Sequence, residues 1–239
     1  MVKCPIAAGN HVFKLSHTCD NPVSASNIPC SVVDDVSIKE SLLLNGDFDG
    51  GTVGSEGWSY STAEACSNPG WTTSGTCGLA KPGVPDGSQW IWPEIDSGVY
   101  SMFTHVANYT NKGTTRELPP VSISQTFEVL KAGVYELCFS YVSRPYVNQS
   151  GATICARIRK GEGVEGDIVW EQSVKPTNQR AFHQFAGQFK LYSAGKYTVE
   201  FYSPQPEYVE NAENNQCAAL DNVSLAYVGK IPSMVIIVR

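Results

Sequence analysis

A chain of 239 residues with 42% hydrophobic and 17% charged residues holds enough apolar side chain for a real core, and its 21 Gly and 14 Pro cut it into short pieces. That is the balance of strands and turns, not of helices rich in Glu, Lys and Leu. A net charge of −6 with no basic run longer than two residues excludes a nucleic-acid footprint, and no apolar stretch approaches the length of a membrane span.

In chain order, residues 1–40 carry Cys4, Cys19 and Cys30 with little apolar periodicity, and read as a Cys-containing arm. Residues 41–48 supply a first strand. Residues 50–98 are loop-dominated and hold Trp58, Trp71, Trp90 and Trp92. Residues 121–129 alternate strictly, with Val121, Ile123, Gln125, Phe127 and Val129 on one face. Lys131-Ala132-Gly133 is a turn. Residues 134–142 alternate again through Tyr135, Leu137, Phe139 and Tyr141, and 152–159 turn Ile154, Ala156 and Ile158 inward. Further strands are expected at 167–174, 183–191, 196–203 and 218–228, with no internal repeat and no helix beyond a turn or two. Strands at this spacing with Gly, Pro and Asn turns predict an all-β, two-sheet antiparallel sandwich over 41–228. Residues 229–239 form an apolar tail, suited to an edge strand or an assembly contact.

Eight cysteines, an even number, point to an oxidising compartment. Sequons at Asn108 and Asn148 suit a glycoprotein. The opening Met1-Val2-Lys3-Cys4-Pro5 lacks the apolar run of a signal peptide. The expectation is an extracellular or particle-surface location. If 134–142 and 152–159 form a hairpin, Cys138 and Cys155 face each other across it, close enough to bridge. Cys66 and Cys77 close a loop of the Trp-rich region and make a second expected pair. Cys4, Cys19, Cys30 and Cys217 leave three pairings open. No C-x-x-C occurs, so zinc and thioredoxin-type readings lack support.

The segment Leu44-Asn45-Gly46-Asp47-Phe48-Asp49, followed by Gly57-Trp58, and the closing Leu220-Asp221-Asn222-Val223-Ser224-Leu225 bracket the alternating region. Together they resemble the galactose-binding-type jelly roll of carbohydrate-binding modules and related secreted sandwiches. The resemblance implies a structural calcium at the acid after Phe and the Asp of the closing motif, here Asp49 and Asp221. A hard cation wants six to eight oxygens, and two carboxylates from the first and last strands would tie the domain ends. Asp stands where Glu is commoner, and turn or cap bonding to backbone amides is the other reading of both residues. The resemblance also places Trp58 in the core.

Exposed aromatic rings stack on the apolar faces of sugars while polar side chains fix hydroxyls. Trp71, between Gly70 and Thr72, is the expected exposed ring. Trp90 and Trp92 share one face of an alternating segment and either line a groove or fill the sandwich. Arg144, leaving strand 134–142 in Arg144-Pro145-Tyr146, resembles a hairpin edge recurrent in these sandwiches and either binds ligand or caps a loop. Four scattered histidines and no G-x-S-x-G, H-E-x-x-H or P-loop argue against an enzyme. Two functions follow from the sequence. One is a non-catalytic module binding a glycan or glycoprotein. The other is a structural subunit of an extracellular coat, filament or virion that contacts copies of itself or other coat subunits.

Overall fold

The structure, a computed structural model, describes residues 40–52, 58–60, 68–74, 77–80, 101–107, 110–111, 114–115, 121–143, 153–175, 182–203 and 215–231. At 58–60, 80, 101–107, 110–111, 114–115, 143 and 215–217 the description is of backbone alone. Thirteen strands are present in these residues and no helix. They are β1 (Trp58–Tyr60), β2 (Thr72–Ser74), β3 (Cys77–Ala80), β4 (Ser101–Ala107), β5 (Thr110–Asn111), β6 (Thr114–Thr115), β7 (Val121–Val129), β8 (Gly133–Ser143), β9 (Ile154–Lys160), β10 (Ile168–Val174), β11 (His183–Leu191), β12 (Gly195–Ser203) and β13 (Asn215–Gly229).

The strands build a six-stranded sheet in the order β1-β3-β4-β13-β8-β11 and a five-stranded sheet in the order β10-β9-β12-β7-β2. Every pairing is antiparallel, and β5 and β6 form a separate small ribbon. This is the two-sheet sandwich expected. From β7 to β9 the chain changes sheets at each step. Residues of one parity fill the space between: Ile123, Phe127, Tyr135, Leu137, Phe139, Ile158, Val199, Phe201 and Leu225 are all buried in one core.

A local two-fold relation organises the middle of that core. Residues 127–139 and 189–201 share Phe, Ala-Gly, Tyr and Phe at matching positions: Phe127 and Phe189, Ala132-Gly133 and Ala194-Gly195, Tyr135 and Tyr197, Phe139 and Phe201. Each segment runs from one sheet to the other. Phe127 pairs with Tyr197 and Phe189 pairs with Tyr135 across the two ladders. Both ring pairs stack, at 6.2 and 6.4 Å between centroids. The Tyr135 hydroxyl donates to the Lys131 carbonyl at 2.7 Å and that of Tyr197 to the Ser193 carbonyl at 3.2 Å, pinning both turns. The repeat is short and carries four matched features, so it becomes visible only when the pairing shows which residues correspond.

Three expectations are corrected here. Residues 41–48 are not a strand but bends and turns laid against β13, with Leu42 N donating to Leu225 O and Val223 N to Gly46 O, each at 2.7 Å. Cys138 and Cys155 cannot bridge. β8 and β9 lie in different sheets, and the parity that buries Leu137 and Ala156 sends both sulfurs to opposite outer faces. Sheets pack about 10 Å apart, beyond the reach of a disulfide. Cys138 instead lies opposite Ser224 and Ala186, and Cys155 opposite Ser173 and Tyr202. Cys77 is a fully buried thiol, not half of a bridge: its Sγ donates to the Ser122 carbonyl at 3.3 Å, from one sheet to the other. Burial pushes that thiol up to about 12, against a smaller pull from a backbone hydrogen bond with Ser74. Its expected partner Cys66, the arm 1–39 and the tail 232–239 lie outside the described residues.

Candidate functional site

The opening motif folds as a knot around Asn45. Its Oδ1 accepts from Gly50 N at 2.8 Å, and its Nδ2 donates to Asn68 Oδ1 at 3.2 Å and Pro69 O at 3.1 Å. Its backbone carbonyl accepts from Trp71 Nε1 at 2.9 Å. Asn45 and Phe48 both adopt left-handed backbone, φ 49° and 59°. That is ordinary for Asn and strained for Phe, and the turn holds because the fully buried Phe48 ring sits against Trp71 at 5.3 Å. Trp71 is therefore a core residue, 8% exposed, and also packs on Phe201. The expectation of an exposed sugar-stacking ring at Trp71 fails because the ring packs on Phe48 and Phe201 and its indole N–H is held by the Asn45 carbonyl. The Gln125 side chain completes the knot, accepting from Leu44 N at 2.7 Å and donating to Leu44 O at 2.9 Å, as a neighbouring strand would.

Asp221 lies in β13 just before a bulge, with Asn222 at φ 52°. It is fully buried. Its oxygens accept from Asn222 N at 2.7 Å and Asn222 Nδ2 at 3.3 Å. Burial pushes its carboxyl up to about 8; the Asn222 amide pulls the other way, and Asp49 and Asp47 push it further up. Asp47 Oδ1 also accepts from Asp49 N at 3.4 Å. The structure thus brings Asp221 and the Asp47–Asp49 turn into one electrostatic neighbourhood. A buried carboxylate beside two further acids is oxygen chemistry suited to a hard cation. Among the described residues, however, no three acidic, His or Cys side chains are gathered into a metal cluster. Trp90, Trp92, Arg144, Cys66, Asn108 and Asn148 lie outside the described residues.

The outward face of the five-stranded sheet carries a polar constellation that motif reading missed. The register sets Glu171 beside Arg157, Arg157 beside Glu200, and Cys155 between Ser173 and Tyr202. Arg157 bonds Glu171 through Nε and lies over the Tyr202 ring, with Cζ 4.3 Å from its centroid. Arg159 Nε donates to Glu200 at 2.7 Å, and its NH1 donates to Gly166 O at 2.9 Å. Cys155 Sγ lies 3.2 Å from Ser173 Oγ. Outward positions of β7 and β2 add Ser122 and Ser124, which are buried, and Thr72 and Ser74, which are exposed. The β9–β10 loop folds over one end of this face: Thr198 Oγ1 donates to Gly161 O at 2.9 Å and Gly163 N to Thr126 Oγ1 at 3.3 Å. A Cβ on Gly166 would lie 2.0 Å from Lys160 O, so the loop closes that tightly only with glycine. The result is a floor with one aromatic ring, a held guanidinium, carboxylates and hydroxyls, walled at one end. The parity of these residues was legible in the sequence; the strand order β10-β9-β12 that joins them was not.

No protein-family model matches the sequence, and no curated protein matches it. Solved structures with a similar fold include the enzymatically active domain of Bacteriophage CBA120 tailspike protein 4, 14% identical at a TM-score of 0.45 over 79% of this chain and 21% of that one. This chain thus spans about a fifth of the tailspike's length. TmCBM61, solved in complex with β-1,4-galactotriose, is 15% identical at a TM-score of 0.44 over 79% of this chain and 99% of that one. A Family 16 carbohydrate-binding module is 12% identical at a TM-score of 0.40 over 77% and 99%. The likeness is one of β-sandwich architecture.

Proposed function

We propose that this chain is a non-catalytic, glycan-binding β-sandwich acting at an extracellular or particle surface, with the outward face of the five-stranded sheet as its binding face. The observation that carries the reading is the Tyr202–Arg157–Glu171 set on the same face as the exposed Thr72 and Ser74, walled by residues 161–167. A ring offers a stacking surface to a sugar, and held charged groups bond hydroxyls without reordering. The resemblance of the opening and closing motifs to galactose-binding-type jelly rolls supports the same reading. Glycan-array binding tests it. Saturable binding should fall at least about tenfold, or about 1.4 kcal/mol, in Tyr202→Ala and Arg157→Ala. A folded protein that binds no glycan, or variants that bind as well as the parent, would overturn it.

A structural calcium ion belongs to the same proposal, held by Asp221 and Asp49 where β13 meets the opening turn. It would supply charge neutralisation for a carboxylate that is fully buried. Chelation with EDTA should then lower the melting temperature, and an unchanged melt sinks the ion.

One observation favours the second reading, a coat or filament subunit. Leu130 and Tyr192 are 80% and 75% exposed on the paired turns, at the end of the sandwich where β13 also finishes. A concentration-dependent mass in solution that Leu130→Ser with Tyr192→Ser abolishes would support assembly.

A further inference from the structure

The proposed binding face is closed in charge. Each cation at an outward position within strands β9, β10 and β12 ends on a carboxylate: Arg157 on Glu171, Arg159 on Glu200 at 2.7 Å, and Lys196 on Glu162 at 2.6 Å. A carboxylate or sulfate on a ligand finds a cation on these strands only by displacing one of these acids. Glu200 does not yield easily. It is 4% exposed, holds Arg159, and lies 3.9 Å from Arg157 NH1, so freeing it strands a buried charge. Glu171 is different. It stands on the edge strand β10, and its side chain is 41% exposed.

We infer that Glu171 is a specificity-determining residue: by neutralising Arg157 it sets the face for uncharged glycans and rejects uronate-bearing or sulfated ones. The inference rests on the glycan-binding reading. Its physics is a difference of affinities. Hydroxyls can bond to an ion pair already in place, whereas an anionic sugar must compete with Glu171 for the same guanidinium and meets the neighbouring Glu200 charge. The net charge of −6 adds a weak long-range term of the same sign. Removing the Glu171 charge while keeping its shape should turn Arg157 into an anion receptor.

The test compares the parent, Glu171→Gln and Glu165→Gln in affinity electrophoresis against a neutral galactan and against polygalacturonate. Glu165→Gln makes the same change in net charge at an exposed position of the 161–167 loop and frees none of the three cations. A second arm measures the melting shift caused by inorganic sulfate relative to chloride at matched ionic strength, which reads the Arg157 guanidinium without any glycan. The parent should be retarded by galactan and not by polygalacturonate. Glu171→Gln should gain polygalacturonate binding by about tenfold, and gain a sulfate-induced shift larger than the parent's, while Glu165→Gln gains neither. A parent that binds polygalacturonate as well as galactan overturns the inference and leaves the glycan reading standing. So does a Glu171→Gln variant that gains nothing in either arm. A parent that binds no polysaccharide removes the glycan reading and this inference with it.

Discussion

Asn45 shows how much one side chain can decide. Its amide joins the opening turn to the 68–70 loop, and its carbonyl orients Trp71. Asn45→Ala leaves the Gly50 amide without its acceptor and Asn68 and Pro69 without their donor, which should cost about 2 kcal/mol in urea unfolding. In a domain of this size that is a fall of about 4–8 °C in melting temperature. An unchanged midpoint would mean that the knot contributes nothing. Asp221 gives a pH test. In protein stripped of divalent ions its folded carboxyl stands near 8, raised from 3.8 mainly by burial. The fold therefore favours the neutral acid. That contribution is fully present below about pH 4 and is lost as pH rises towards 8. Stability of the EDTA-treated protein should fall between pH 5 and about pH 8.5, and Asp221→Asn should flatten the fall. A profile as steep in the variant as in the parent would assign the slope to another group.

At the scale of elements, the opening segment is read most easily as a strand and is not one. Its run of leucines is apolar enough, but Asn45 and Phe48 at positive φ break the extended chain, and Gly46 brings the backbone onto the β13 bulge. A Cβ at Gly46 would lie 1.9 Å from the Val223 carbonyl oxygen, a backbone atom that cannot step aside cheaply. Gly46→Ala should therefore destabilise by about 3 kcal/mol or more, well beyond an ordinary glycine-to-alanine change. A loss below about 1 kcal/mol in chemical denaturation would show that the bulge adapts. The strands from residue 121 onward were legible because alternation such as that of 121–129 and 134–142 runs between clear Gly, Pro and Asn turns, and their observed limits fall within a few residues of expectation. The short strands β1, β2 and β3 carry too few residues for a period to register.

For the whole molecule the decisive quantity is which strand lies beside which. Cys138 and Cys155 illustrate it: the expected hairpin was a sound local reading, yet β8 and β9 belong to different sheets. A non-reducing digest should return the two in unlinked peptides. Iodoacetamide at pH 8 should leave Cys77 unlabelled in the native protein, since burial keeps that thiol protonated up to about 12. A Cys138–Cys155 cross-linked peptide, or rapid native labelling of Cys77, would contradict the sandwich described. The same sheet order assembles the candidate site from β9, β10 and β12, which contribute Arg157, Glu171 and Tyr202 from distant parts of the chain.

The sequence by itself determined the all-β class, the long strands and the inward face of each, because side-chain parity is a local property with a period of two. Only the tertiary structure decided strand order, the burial of Trp71, the state of Cys77 and the charge-closed face, because each depends on contacts between residues far apart in sequence. No local pattern encodes those contacts; the packing of two sheets against one core selects them.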